Sequence, residues 1–279
     1  MIKVAFMYDF DKTLSPKDMQ EFGFLPSLGF DDPKKFWEEV SAFKDENEMD
    51  GILAYMHMMI EKSEQAGKPV RREDLVALGK GVELFPGVKD WFQRVNEEGK
   101  KLGLDVEHYI ISSGLTEIIE GTEIADCFKK IYACRYYYDE QGVAKWPALV
   151  VNYTTKTQYI FRINKQVLNA AEDVALNQYT DVKERPISIS NMVYIGDGLT
   201  DVPCMKLVKQ YGGHSIAVYH PQGKKSQNLA KELVSAERVH FTAPADYSQG
   251  STMETLAFAI LKEIAARAEL DHLAQQNVK

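Results

Sequence analysis

The chain has 279 residues, 45% hydrophobic and 27% charged, and its 41 acidic against 33 basic side chains give a formal charge of -8. This length allows one large core with an insertion, and the acidic balance without a basic stripe argues against a nucleic-acid surface. Cys127, Cys134 and Cys204 share no metal-ligand spacing, which predicts reduced buried thiols in a cytoplasmic setting.

No apolar run approaches the ~18 residues of a spanning helix, and the first one is broken by Lys3 and stopped by Asp9, too short for a signal-peptide core. A soluble intracellular protein with no membrane partner is expected. In chain order, buried strands are predicted at 2–8, 106–112, 192–196 and 215–219, where β-branched and aromatic residues cluster, with weaker candidates at 130–135 and 238–242. Helical stretches lie between them: 88–95 after Pro86-Gly87, 116–124 after Gly114, 155–171, and an amphipathic segment at 253–268 that should cover the sheet.

Strands alternating with helices predict an α/β fold, a Rossmann-like parallel sheet with right-handed crossovers. The alternation is interrupted between Ser15 and Phe85, where helical signals at 36–43, 51–61 and 72–75 predict an inserted α-helical cap. The expected division is a core of residues 1–15 and 85–279 with a cap of 16–84. Met49, Met56, Met58, Met59, Phe36, Trp37 and Phe43 are read as cap core, and 135–152 as a hairpin turning near Gln141-Gly142.

Ligands of open parallel sheets collect beyond the carboxyl ends of the strands. There the sequence places Asp9-Phe10-Asp11-Lys12-Thr13, Ser112-Ser113-Gly114-Leu115 and Gly196-Asp197-Gly198-Leu199-Thr200-Asp201. Four carboxylates on one edge repel each other unless a divalent cation sits among them, and Mg²⁺ suits carboxylates, carbonyls and a phosphate. Ser112, with the Ser113 and Gly114 N–H groups opening a helix, offers donors to a phosphate oxygen, and Lys156 at the start of its helix adds a positive charge.

These motifs resemble, in order, the four motifs of the haloacid-dehalogenase-like (HAD) phosphohydrolases, and the long cap between the first two is similar to that of the phosphoserine phosphatase group. The resemblance implies Asp9 as nucleophile and Asp11 as acid/base, with Mg²⁺ held by Asp9, the Asp11 carbonyl and Asp197. It further implies phosphate contacts from Ser112, Ser113, Gly114 and Lys156, with Thr13 and Asp201 supporting. Lys145 competes with Lys156 for the lysine role. A rival register, Asp11-Lys12-Thr13, is similar to the phosphorylated motif of cation-pumping ATPases, but it lacks the following Gly-Thr and the membrane spans such pumps need.

The expected activity is a Mg²⁺-dependent phosphomonoesterase acting on a small phosphate ester. A phosphomutase or phosphotransferase using the same aspartyl phosphate, and a silent phosphate-binding protein, are the alternatives. Residues 15–70 contain no arginine to meet a substrate carboxylate, so the acidic, aromatic cap favours a neutral or cationic leaving group. Asp18 is read either as a substrate contact or as a carboxylate at a helix N-terminus.

Overall fold

Strand β1 (Ile2–Tyr8) lies at the centre of the molecule, buried from Val4 onward, because every residue from Val4 to Tyr8 is apolar or aromatic and both sheet faces are covered. In the computed structural model, which describes residues 1–276, it pairs in parallel with β2 (Leu104–Leu115) on one side. β5 (Met192–Gly196) flanks it on the other. With β3 (Lys130–Tyr138), β4 (Ala144–Leu149), β6 (His214–Tyr219) and β7 (Phe241–Pro244), the sheet order is β4-β3-β2-β1-β5-β6-β7. Each neighbouring pair is parallel apart from β3 and β4. The chain leaves β1 for β2 on one side and returns through β5 on the other, so the crevice above β1 and β5 is the switch point where such sheets bind ligands.

The insertion is helical, as expected. It contains α1 (Pro33–Glu46), α2 (Gly51–Gln65) and α3 (Arg72–Leu78). Asp32 and Asp50 cap the first two, accepting from Lys34 N at 3.1 Å and from Ile52 N and Leu53 N at 2.9 and 3.1 Å. The entering and leaving chains meet at one point, Phe85 N donating to Leu14 O at 2.9 Å. Phe36, Met56, Met58 and Met59 are buried cap core, whereas Met49, Trp37 and Phe43 are only partly buried.

Helices α4 (Val88–Lys101), α5 (Thr116–Glu120), α6 (Lys156–Lys165), α7 (Val202–Gln210), α8 (Lys224–Ser235) and α9 (Thr252–Gln276) complete the core. The core range of the sequence reading runs to 279, and 277–279 lie outside the described residues. Several boundaries differ from expectation. α5 stops at Glu120 rather than 124, and Gly121, which caps it, passes so close to the Val76 carbonyl that a Cβ there would lie 1.8 Å from it. α6 ends at Lys165 rather than 171, with Gln166 in the left-handed region at φ 55°. β7 starts at Phe241, and α9 runs to Gln276.

The hairpin formed by β3 and β4 supports the cap. Its tip pairs with the chain entering α3: Ala144 N donates to Val70 O at 2.8 Å, and Tyr136 Oη donates to Met56 O at 2.8 Å. Lys145 lies on this hairpin, paired with Asp139 at 3.3 Å.

Candidate active site

The β1 run ends where Asp9 N donates to Ile195 O at 2.9 Å, after which the Phe10 carbonyl accepts from Leu14 N at 2.8 Å and the loop closes. Asp9, 6% exposed, accepts from Phe10 N at 2.7 Å through Oδ1 and from Lys156 Nζ at 2.9 Å through Oδ2. Asp11 is held by Met19 N at 2.9 Å. Burial, then the Asp18 and Asp9 charges, pushes its carboxyl well above the usual carboxylate range.

Thr13 is fully buried, but its hydroxyl has no partner. Its carbonyl is the anchored group, accepting from Tyr247 Oη at 2.9 Å. The loop is therefore fixed through backbone at this position. Lys12 adopts a left-handed φ of 58° and its Nζ lies 2.6 Å from Asp18 Oδ2. Asp18 precedes the short turn Met19–Phe22 yet makes no capping bond, so its carboxylate serves the lysine and not the helix N-terminus.

The Ser112-Ser113-Gly114 segment does not open a helix. It belongs to the irregular end of β2, where pairing with β3 slips between Ile111 and Leu115, and α5 begins only at Thr116. Ser112 Oγ accepts from Gly114 N at 3.1 Å, which also occupies one of the expected phosphate donors. Tyr55 of α2 donates to Ser113 O at 2.7 Å, tying cap to core beside the site.

Lys156 is the first residue of α6 and fully buried, its Nζ lying between Asp9 Oδ2 at 2.9 Å and Asp201 Oδ1 at 2.7 Å. Burial alone would lower its ammonium; Asp201 and Asp9 more than reverse this and raise it above the usual lysine range. Asn152 sets the helix start, its carbonyl accepting from Lys156 N at 2.9 Å while its amide donates to Asp50 at 3.0 Å. Asp201 is saturated: Tyr194 Oη donates to Oδ1 at 2.8 Å and Gly198 N to Oδ2 at 3.3 Å.

One oxygen each from Asp9, Asp197 and Asp201 falls within 4.8 Å of the others. Burial, then Asp201 and Asp9, raises the Asp197 carboxyl well above its usual range. Asp197 has no hydrogen-bond donor among the described residues, and Lys156 supplies the only charge-compensating bonds to the other two acids. A hard divalent cation fits this donor set. Asp9 and Asp201 already share Lys156, so of the three acids Asp197 alone has no donor of its own among the described residues.

Asp9, Asp11, Ser112, Ser113, Gly114 and Asp197 line one cavity of about 420 Å³, together with Gln20, Trp37, Val40, Ile52 and Tyr55, whereas Lys156 and Asp201 lie fully buried behind it. Sequence reasoning missed Gln20, Tyr55 and Tyr194 and assigned Trp37 to the cap interior. No local signal marked them: Gln20 and Tyr55 lie within the insertion and Tyr194 inside an apolar strand, and what each meets is set by the packing of distant segments.

The haloacid dehalogenase-like hydrolase family model matches residues 6–206, and the chain belongs to that family. An uncharacterized protein of Borreliella burgdorferi is 27% identical over 277 residues, covering 90% of this chain and 93% of its own. Among solved structures, a probable phosphoserine phosphatase from Vibrio cholerae superposes with a TM-score of 0.60 at 14% identity, over 95% of this chain and 67% of that one. A HAD family hydrolase from Salmonella enterica serovar Typhi gives 0.58 at 16% identity, over 92% and 70%. These likenesses establish the fold. Among the described residues no helix is long and apolar enough to cross a membrane.

Proposed function

We propose that the chain is a Mg²⁺-dependent phosphomonoesterase acting on a small phosphate ester, with Asp9 as nucleophile and Asp11 as acid/base. The observation that carries this reading is the pairing of Asp9, fixed by Phe10 N and Lys156, with Asp11, held by Met19 N in the same cavity. One carboxylate is oriented by donors as an anion, while the other lies in surroundings that favour its protonated form. The family membership and the phosphoserine phosphatases sharing this fold support the same chemistry.

In the first half-reaction an Asp9 oxygen forms a bond to phosphorus as the ester P–O bond breaks, and Asp11 gives its proton to the departing alkoxide. In the second, Asp11 takes a proton from water as the water oxygen bonds to phosphorus and the Asp9–phosphorus bond breaks, releasing inorganic phosphate. Ser112 and Lys156 hold the transferring oxygens, and the cap limits bulk water. Asp9, Asp197 and the Asp11 carbonyl would hold Mg²⁺, which when bound neutralises phosphate charge.

Turnover of p-nitrophenyl phosphate with Mg²⁺, before and after Asp9→Asn, tests the assignment. We expect the variant to lose at least ~10³-fold in kcat, since the covalent route closes, and the wild type to show an acid-stable gain of one phosphoryl mass on the peptide containing Asp9. Full activity in Asp9→Asn would show that the nucleophile lies elsewhere.

A further inference from the structure

Helix α2 is bonded to both core segments that the phosphomonoesterase reading assigns to the transferring oxygens. Tyr55 Oη donates to Ser113 O at 2.7 Å, beside Ser112. At the start of the helix, Asp50 divides its two oxygens. Oδ1 accepts from Ile52 N and Leu53 N at 2.9 and 3.1 Å and caps α2, while Oδ2 accepts from Asn152 Nδ2 at 3.0 Å. Gly51, Ile52 and Tyr55 of this helix line the same cavity as Asp9 and Ser112.

Asn152 divides its groups in the same way. Its Oδ1 accepts from Thr154 N at 3.1 Å and Thr155 N at 2.9 Å, and its backbone carbonyl accepts from Lys156 N at 2.9 Å. The side-chain amino group leaves this turn and crosses to Asp50. The turn delivers Lys156, whose fully buried Nζ lies between Asp9 Oδ2 at 2.9 Å and Asp201 Oδ1 at 2.7 Å. A displacement of Asn152 is carried to the ammonium through the Lys156 backbone, and a misplacement of about 1 Å at a reacting centre costs up to ~10²-fold in rate.

We propose that Asn152 is a positioning residue for Lys156 and that Asp50, across the cap boundary, holds it in place, so that the seating of α2 on the core sets where the ammonium meets the transferring oxygens. This rests on the phosphomonoesterase reading. Asn152→Asp keeps an acceptor for Thr154 N and Thr155 N but turns a second oxygen towards Asp50. Asp50→Asn keeps the cap of α2 but turns an amino group towards that of Asn152. Each single change breaks the bond and spares both helix starts. In the double variant Asp50→Asn/Asn152→Asp, donor and acceptor have changed places and the bond forms again.

The test measures kcat and KM of the full chain with Mg²⁺ on p-nitrophenyl phosphate, the urea midpoint, and amide hydrogen exchange over residues 152–160, for the wild type, both single variants and the double variant. Each single variant is expected to lose about tenfold in kcat with KM within about threefold, and the double variant to return to within about threefold of the wild type. Exchange over 152–160 should be about tenfold faster in Asp50→Asn, although the substitution lies in the cap, and should slow again in the double variant. Where a single variant fails to fold, Asp50→Ser replaces it, since a serine still caps α2 and offers no second oxygen to Asn152.

Wild-type kcat in both single variants, or a folded double variant no better than the poorer single one, overturns the positioning role while leaving the phosphomonoesterase reading intact. A rise in KM with kcat unchanged overturns it too, since the bond would then shape the cavity without acting on Lys156. Unchanged exchange over 152–160 in Asp50→Asn removes the coupling between cap and lysine whatever the turnover. Absence of turnover by the wild type overturns the phosphomonoesterase reading and the positioning role with it.

Discussion

Asp201 reaches Lys156 only because residue 196 lacks a side chain. A Cβ built on Gly196 would lie 2.5 Å from both Cγ and Oδ2 of Asp201, and neither atom can retreat while Tyr194, Gly198 and Lys156 hold the carboxylate. Gly196→Ala should therefore displace Asp201 and leave a buried ammonium with Asp9 as its one remaining partner. The expected result is a loss of at least ~10²-fold in kcat on an aryl phosphate and about 1–3 kcal/mol in stability from overpacking. Parallel turnover and urea-denaturation measurements check both, and near-normal kcat would show that Asp201 is not needed to position Lys156. The glycine of Gly196-Asp197-Gly198 is thus required by packing against an acid five residues on, a demand that its place in a strand-end acidic motif does not reveal.

At the scale of elements, the end of α6 shows where local pattern loses to a distant polar demand. Apolar spacing extends the helix to Ala171, yet it stops at Lys165 because Arg162, 1% exposed, must satisfy its guanidinium. The chain turns at Gln166 and wraps back so that Arg162 donates to Asn169 O at 2.8 Å, Ala170 O at 2.9 Å and Glu172 O at 3.3 Å. Arg162→Leu should free these carbonyls from their donor, cost about 2–4 kcal/mol and open residues 166–173 to protease; an unaltered digestion pattern together with an unaltered urea midpoint would contradict this. By contrast, the strand-end acids were legible because an apolar run of fixed length, broken by Asp, marks the carboxyl edge of a parallel sheet without reference to any distant residue. Lys156 was legible for a similar reason, at the start of a periodic segment. Tyr55 was not, since its bond to Ser113 depends on how α2 and the end of β2 approach one another in space.

The whole molecule depends on a polar chain buried beneath the sheet that joins β1, β2 and α4. Trp91 Nε1 can only donate and does so to Tyr8 Oη at 2.9 Å, so the Tyr8 hydroxyl donates onward to His108 Nδ1 at 3.0 Å. His108 Nε2 then carries the proton and donates to Asn96 Oδ1 at 3.0 Å. Both ring nitrogens are committed to the neutral form, and burial pushes the His108 imidazole down to about 3 from an ordinary 6.5. Between these values the unfolded chain binds a proton that the folded chain refuses. The His108 contribution to stability is thus complete above about pH 6.5 and is lost as pH falls towards 3, by about 1.4 kcal/mol per pH unit. Asp11, Asp197 and Asp201 act in the opposite sense, since their raised carboxyls take up protons earlier in the folded state. A pH series on the wild type alone would mix the two effects, whereas comparison with His108→Gln separates them. Urea denaturation from pH 7.5 to 5 should show the wild type losing stability relative to the variant at close to one proton's slope below pH 6.5, and parallel curves would show that His108 protonates as readily folded as unfolded.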